Sequence, residues 1–302
     1  MHRVLAVAAL ALGLAACGDN YIRPTVDITP APMGELRFAL VGDTRPANED
    51  DTPQYPTAVI TQIWQDVASA QPMPPFGIST GDYMNASPGG GQQNAQLDQN
   101  LGARAHYPRD VYAAMGNHEC TGSSLSNCGA GAQDGETPNY TAYMDRMVRP
   151  FGVDRPWYVV HLQAQDASWT AKLVVIAANA WSDEQAAWLD ATLAQPTTYT
   201  FVVRHEPHVA ITINGVVASQ AILANHPLTL LLTGHVHTYQ RYADAKEVVI
   251  GNGGAPLVSG VDYGYAIAFR RPDGAIDFTE YDYASQAVID HFAIAADGTP
   301  AP

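Results

Sequence analysis

Five short apolar runs along this chain each break off at a polar residue of a chemically useful type. RFALVGD ends in Asp43 and PFGISTGD in Asp82; DVYAAMGNHE carries Asn117 and His118; YTFVVRHE carries His205; LTLLLTGHVH ends in His235 and His237. Apolar runs of this length, bounded by glycine and turn formers, read as strands buried on both faces. Between the first two, AVITQIWQDVA places Ile60, Ile63, Trp64 and Val67 on one helical face. After KLVVIAAN comes SDEQAAWLDATLA, a helix with Ser182 as its N-cap and acidic residues in its first turn. Its Trp188, Leu189 and Leu193 read as core. Strand–helix alternation predicts a mostly parallel sheet covered on both faces, with ligands gathered beyond the carboxyl ends of its strands. The last third differs. KEVVIGNGG, YGYAIAFRR, AIDFTEYDY and AVIDHFAI alternate only partly and are separated by Gly, Asp and Pro. They predict an antiparallel addition, either to the same sheet or as a second sheet packed on it.

The beginning of the chain has a different character. MHRVLAVAALALGLAACGDN has a basic residue, Arg3, then an apolar run too short to span a bilayer, which reads as a secretory signal. Leu14-Ala15-Ala16-Cys17 resembles the bacterial lipobox, in which the cysteine is lipidated; the alternative is a plain cleaved signal. The expected organisation is therefore a signal over 1–16, a lipidated Cys17 with a tether over 17–34, and one domain over 35–302. That organisation implies an extracytoplasmic protein attached to a bacterial membrane through its N-terminal lipid only. Removing Cys17 leaves Cys120 and Cys128, which flank the polar TGSSLSN. In an oxidising compartment they are expected to form a disulfide worth about 2–3 kcal/mol by the chain-entropy model; otherwise they are free thiols. A net charge of −15 over 302 residues argues against a nucleic-acid partner, since phosphate backbones call for basic surface.

Asp43, Asp82, Asn117, His205, His235 and His237 offer oxygen and nitrogen and no thiolate, a set suited to Zn, Mn or Fe. Such ions turn a bound water into a nucleophile and neutralise phosphoryl oxygens. Serine or cysteine nucleophilic catalysis is disfavoured, because no G-x-S-x-G elbow is present. VGDTR, TGDYMN, MGNHE, VVRH and GHVH stand in the order of the five motifs of the calcineurin-like metallophosphoesterases, and the chain resembles that family over about Leu36 to Asp290. GNHE, GHVHTYQR and GNGGAP resemble the purple-acid-phosphatase branch most.

The resemblance implies a four-layer α/β/β/α sandwich with two mixed sheets, two metal ions (Fe, Zn or Mn) and hydrolysis of a small-molecule phosphoester. It implies that Asp82 bridges both metals, that Asp43 and His237 bind one ion, and that Asn117, His205 and His235 bind the other. It further implies that His118 assists the leaving group. Glu119 either orients His118 or is a loop carboxylate, and His208 either faces the pocket as a proton-transfer group or lies exposed. Substrate selection is expected in loops such as 88–105 and 120–138. The other histidines, His106, His161, His226 and His291, read as structural. Tyr239 and Arg241 either contact substrate or open a strand.

Two departures from the pattern stand out. Arg45 occupies a position where many members have a histidine ligand, and arginine has no lone pair to give a metal. It either grips substrate phosphate or pairs with a neighbouring acid. Asn85 replaces the metal-binding tyrosine of purple acid phosphatases and reads as a weak ligand, a substrate contact or a turn residue. The expected function is a metal-dependent phosphoesterase. The competing expectation is a surface-anchored binding protein with a degenerate site.

Overall fold

The computed structural model describes residues 27–302, so the expected signal segment and Cys17 lie outside the described residues. Along the chain run β1 (Asp27–Ile28), β2 (Arg37–Val41), α1 (Thr57–Ser69), β3 (Phe76–Ser79), α2 (Gln93–Arg104), β4 (Val111–Ala113), α3 (Pro138–Tyr143), β5 (Tyr158–Gln163) and β6 (Thr170–Ile176). Then follow α4 (Asp183–Leu193), β7 (Tyr199–Arg204), α5 (Asn214–Leu223), β8 (Leu230–Thr233), β9 (Tyr239–Tyr242), β10 (Glu247–Ile250), β11 (Gly264–Arg270), β12 (Ile276–Asp282) and β13 (Val288–Ile294). The strands make two mixed sheets, ordered β1-β5-β6-β7-β8-β10-β9 and β13-β12-β11-β2-β3-β4.

Alternation along the central strands builds four layers. On β2, Phe38 and Leu40 point into the core between the sheets, while Ala39 and Val41 point outward to Ile60, Ile63, Trp64 and Val67 of α1. On β6, Leu173 and Val175 face the other sheet, and Val174 and Ile176 meet Leu189 and Leu193 of α4 and Leu223 of α5. Both faces of each sheet are therefore apolar and covered, each buried Leu or Ile contributing about 1.5–3 kcal/mol. The five ligand-bearing strands do not share one sheet, as the alternation suggested. β2, β3 and β4 lie parallel in one sheet and β7 and β8 parallel in the other, so their carboxyl ends meet at one rim of the sandwich. The late strands also divide. β10 runs parallel to β8, whereas β11, β12 and β13 extend the second sheet with antiparallel pairing and join it through β2.

α4 begins as expected, with Ser182 Oγ accepting from the Gln185 amide at 3.1 Å. The stretch 88–105, read as a loop, holds the twelve-residue helix α2. Its inward face carries Gln93, Gln96 and Asn100 beside Leu97 and Ala103, so no apolar stripe marks it. Part of the expected tether is also joined to the sheet, with β1 parallel to β5 and Met33 bridged to Ala164. Cys120 and Cys128 are disulfide-bonded, with their Cα atoms 5.7 Å apart. Among the described residues no helix is long and apolar enough to cross a membrane.

Candidate metal centre

Four of the five strands entering the rim, all but β7, have a glycine beside the ligand that follows them: Gly42, Gly81, Gly116 and Gly234. Asp43, Asp82 and His235 all adopt left-handed backbone conformations, with φ of 55°, 58° and 68°. For non-glycine residues such geometry is strained and persists only where the surroundings enforce it. Here they do: the Asp43 amide donates to Gly81 O at 3.0 Å, Thr44 N to Asp82 O at 2.9 Å and Gly234 N to His205 O at 2.7 Å. The close approach also requires glycine at two points. A Cβ on Gly116 would stand 2.2 Å from Asp82 Oδ1, and one on Gly234 2.3 Å from Asp43 Oδ2.

Three successive close contacts link four donor atoms within this frame. His205 Nε2 lies 3.2 Å from Asp82 Oδ1 and 3.3 Å from His235 Nδ1, and His235 Nδ1 lies 3.1 Å from Asn117 Oδ1. Donors bound at about 2.0–2.2 Å to one ion stand about 3.0–3.5 Å from their neighbours, and each of these three contacts has that spacing. The far side of each group agrees. His205 Nδ1 donates to Thr80 O at 2.8 Å, leaving Nε2 as the lone-pair atom, and Asn117 Nδ2 donates to Gly122 O at 2.7 Å, leaving Oδ1 facing inward. His237 follows the same rule, its Nδ1 donating to Pro256 O at 2.6 Å. Outer partners of this kind fix ligand tautomers in metal sites. Asp43, Asp82 and His237 form a second group whose ligand atoms lie within 4.8 Å of one another.

Electrostatics show how strongly the pocket calls for positive charge. Burial works against a charged His205, yet the Asp82 and Asp43 carboxylates outweigh it and hold the imidazole well above its ordinary value. Asp82 is held well below the carboxylate range: burial pushes it up, but His205 and His118 prevail. Asp43 is pushed well up by burial, with Asp82 repelling its charge. His118 and His235 are each lowered to about 4, chiefly by burial. A proton on His205 thus occupies the role for which the donor set fits a metal ion.

Several expected roles are revised by the contacts. Glu119, fully buried, does not orient the His118 ring; its carboxylate accepts from the amides of Asp82 (2.9 Å), Tyr83 (2.8 Å) and Gly116 (2.8 Å). It therefore shapes the loop that presents Asp82. His208 is turned away from the donor cluster, its ring bonded to Glu247 and edge-on to Tyr242. Asn85 gives its amide to the carbonyls of Pro46 (3.4 Å) and Ala47 (3.2 Å), bracing the loop after Arg45. Arg45 itself lies in the site, with Nε 3.5 Å from Asp82 Oδ2 and Nη2 3.4 Å from His237 Nε2. His118 sits beside it, its ring 3.9 Å from Asp82 Oδ2. Tyr239 and Arg241 both reach Asp290 of β13 and so close the sandwich edge. His106, His161, His226 and His291 pair with surface Gln or Asp residues, as structural histidines do.

Comparison with known proteins accords with this site. No curated protein sequence matches the chain. Among solved structures, purple acid phosphatase PPD1 from yellow lupin (Lupinus luteus) seeds is similar at a TM-score of 0.63 and 17% identity, over 89% of this chain and 55% of that one. GAP50, the anchor in the inner membrane complex of Plasmodium, is similar at a TM-score of 0.59 and 12% identity, over 88% of this chain and 90% of that one. At these identities the likeness is one of fold. The calcineurin-like phosphoesterase model matches residues 36–239, most of the described sandwich and every strand end that carries a donor, and the chain belongs to that family.

Proposed function

We propose that this protein is a metal-dependent hydrolase of small-molecule phosphate esters, attached outside the cytoplasm through Cys17. The observation that carries the reading is the run of three close contacts that links Asp82 Oδ1, His205 Nε2, His235 Nδ1 and Asn117 Oδ1, with the outer atoms of His205 and Asn117 fixed by backbone carbonyls and with Asp43, Asp82 and His237 grouped beside them. Polarisation of the phosphoryl group and activation of the attacking water are what an Fe, Zn or Mn ion supplies when bound. The protein's own groups do the rest. Arg45 carries a planar guanidinium whose nitrogens suit phosphate oxygens. His118 stands next to it, placed to serve the leaving oxygen. A phosphate dianion lying against the ring would raise its proton affinity and so oppose the effect of burial. Glu119 holds the Asp82 loop rigid, which keeps the donors from relaxing apart.

The test uses the purified full chain. Metal content is measured, then hydrolysis of p-nitrophenyl phosphate and its bis-ester with Mn, Zn and Fe supplied in turn. Turnover is expected to depend on added metal, to vanish with chelator and to vanish in Asp82→Asn. Folded protein that binds no metal and leaves both esters intact would overturn the reading. That result would favour the second one, a surface binding protein on a degenerate site. Two observations favour it: Arg45 is seated against Asp82 and His237, and a structural neighbour is described as an anchor.

A further inference from the structure

We infer that this chain holds one metal ion rather than a pair, and that the Arg45 guanidinium permanently occupies the place of the second. The inference rests on the metal-dependent reading above and specifies its stoichiometry. The two donor groups are not equivalent. Asp82 Oδ1, His205 Nε2, His235 Nδ1 and Asn117 Oδ1 follow one another at 3.1–3.3 Å, and no Arg or Lys nitrogen of the described residues pairs with any of the four. Around Asp43, Asp82 and His237 the donors already have partners. His237 Nδ1 gives its proton to Pro256 O, so Nε2 is the acceptor for Arg45 Nη2 at 3.4 Å. Arg45 Nε faces Asp82 Oδ2 at 3.5 Å, is buried, and has no hydrogen-bond partner elsewhere. The Asp43 oxygens accept from the His235 amide at 3.1 and 2.9 Å.

The guanidinium is also held where it is. Its Nη1 donates to Pro46 O at 3.1 Å, and Asn85 ties that same carbonyl and the next one. Proline after Arg45 further restricts the backbone that carries it. An ion bonded to Asp82 Oδ2 and His237 Nε2 would press against a guanidinium that has no lone pair to share. Two positive charges would then be desolvated together, and the weaker-bound one would leave. A planar guanidinium in that place can still neutralise a phosphoryl oxygen, since its fork suits phosphate.

Metal stoichiometry and magnetic coupling test this directly. Purified full chain is loaded with Mn²⁺, freed of excess, and analysed by mass-spectrometric metal content per chain and by EPR. The expected result is about one Mn per chain, with the resolved hyperfine pattern of an isolated ion. That ion should be lost in His235→Ala and kept in His237→Ala. Arg45→His is expected to bind two ions with an exchange-coupled signal, and Arg45→Ala to admit a second, weaker equivalent. Wild-type protein with two coupled ions would overturn the inference and leave the phosphoesterase reading standing. A single ion lost in His237→Ala instead of His235→Ala would overturn it as well, as would failure of both Arg45 variants to gain an equivalent. Folded wild-type protein without any Mn would remove both readings.

Discussion

At the scale of single residues, the site is built from pairs of partners, one facing the ion position and one facing away. Sequence exposes the inward half. Asp43, Asp82, Asn117, His205, His235 and His237 are legible because each follows an apolar run, often with glycine next to it. The outward half consists of the carbonyls of Thr80, Gly122 and Pro256, which any residue carries, and so it leaves no trace in side-chain identity. Glu119 was legible as a nearby acid but not in its orientation, which follows from three amide hydrogens in search of an acceptor. Burial and the Asp82 carboxylate push Glu119 up to about 7, while the amides of Tyr83 and Gly116 pull it back. Glu119→Gln leaves one oxygen for three amides and turns an NH₂ group toward them. The expected result is a folded protein with about 10- to 100-fold weaker metal affinity, the range found when outer partners of a metal site are lost. Chelator competition measures it, and unchanged affinity would remove the positioning role.

At the scale of elements, legibility depended on whether the buried face is apolar. α1 and α4 announce themselves because they bury Ile, Leu and Trp, whereas α2 buries amides and was read as a loop. One of those amides, Asn100, donates to Thr44 Oγ1 at 2.9 Å, so α2 contacts the segment between Asp43 and Arg45. α4 hides a different device. It has no basic residue in its last turn, yet its carboxyl end is capped by Lys172 from β6, whose Nζ donates to the carbonyls of Thr192 (2.8 Å) and Leu193 (3.1 Å). A cation there satisfies carbonyls that the helix cannot and opposes its dipole. Lys172→Met keeps most of the packing volume and removes the donors. It is expected to cost about 1.5–3 kcal/mol, the worth of charge-assisted hydrogen bonds, and to speed hydrogen exchange at the last turn of α4. Urea denaturation with exchange mass spectrometry would show both, and wild-type stability would refute the cap.

For the whole molecule, the family resemblance foretold the sandwich, while strand patterning alone put all five ligand-bearing strands in one sheet. The reason is that a strand buried on both faces reads the same in either sheet. Global stability is also tied to one acid remote from any expected chemistry. Glu280 on β12 is fully buried, with Oε1 accepting from Asn252 Nδ2 at 3.0 Å, and burial pushes it up to about 8 from an ordinary 4.5. Between those values the unfolded chain releases this proton and the folded chain keeps it. Stability must therefore fall as pH rises through that window, by up to about 1.4 kcal/mol per pH unit for this group alone. Glu280→Gln should flatten the decline. Denaturant midpoints taken across about pH 5 to 8 would show it, and a wild-type slope in the variant would rule it out.

The rim geometry carries one last consequence. Asp82 and Asn117 come from one sheet and His205 and His235 from the other, so a bound ion would add a cross-link between two layers already joined there by hydrogen bonds such as Thr80 Oγ1 to Ile250 O and Gly253 N to Gly42 O. Occupancy then acts as a reversible staple. Metal supply would then also set how firmly the two halves of the sandwich are held together at that end.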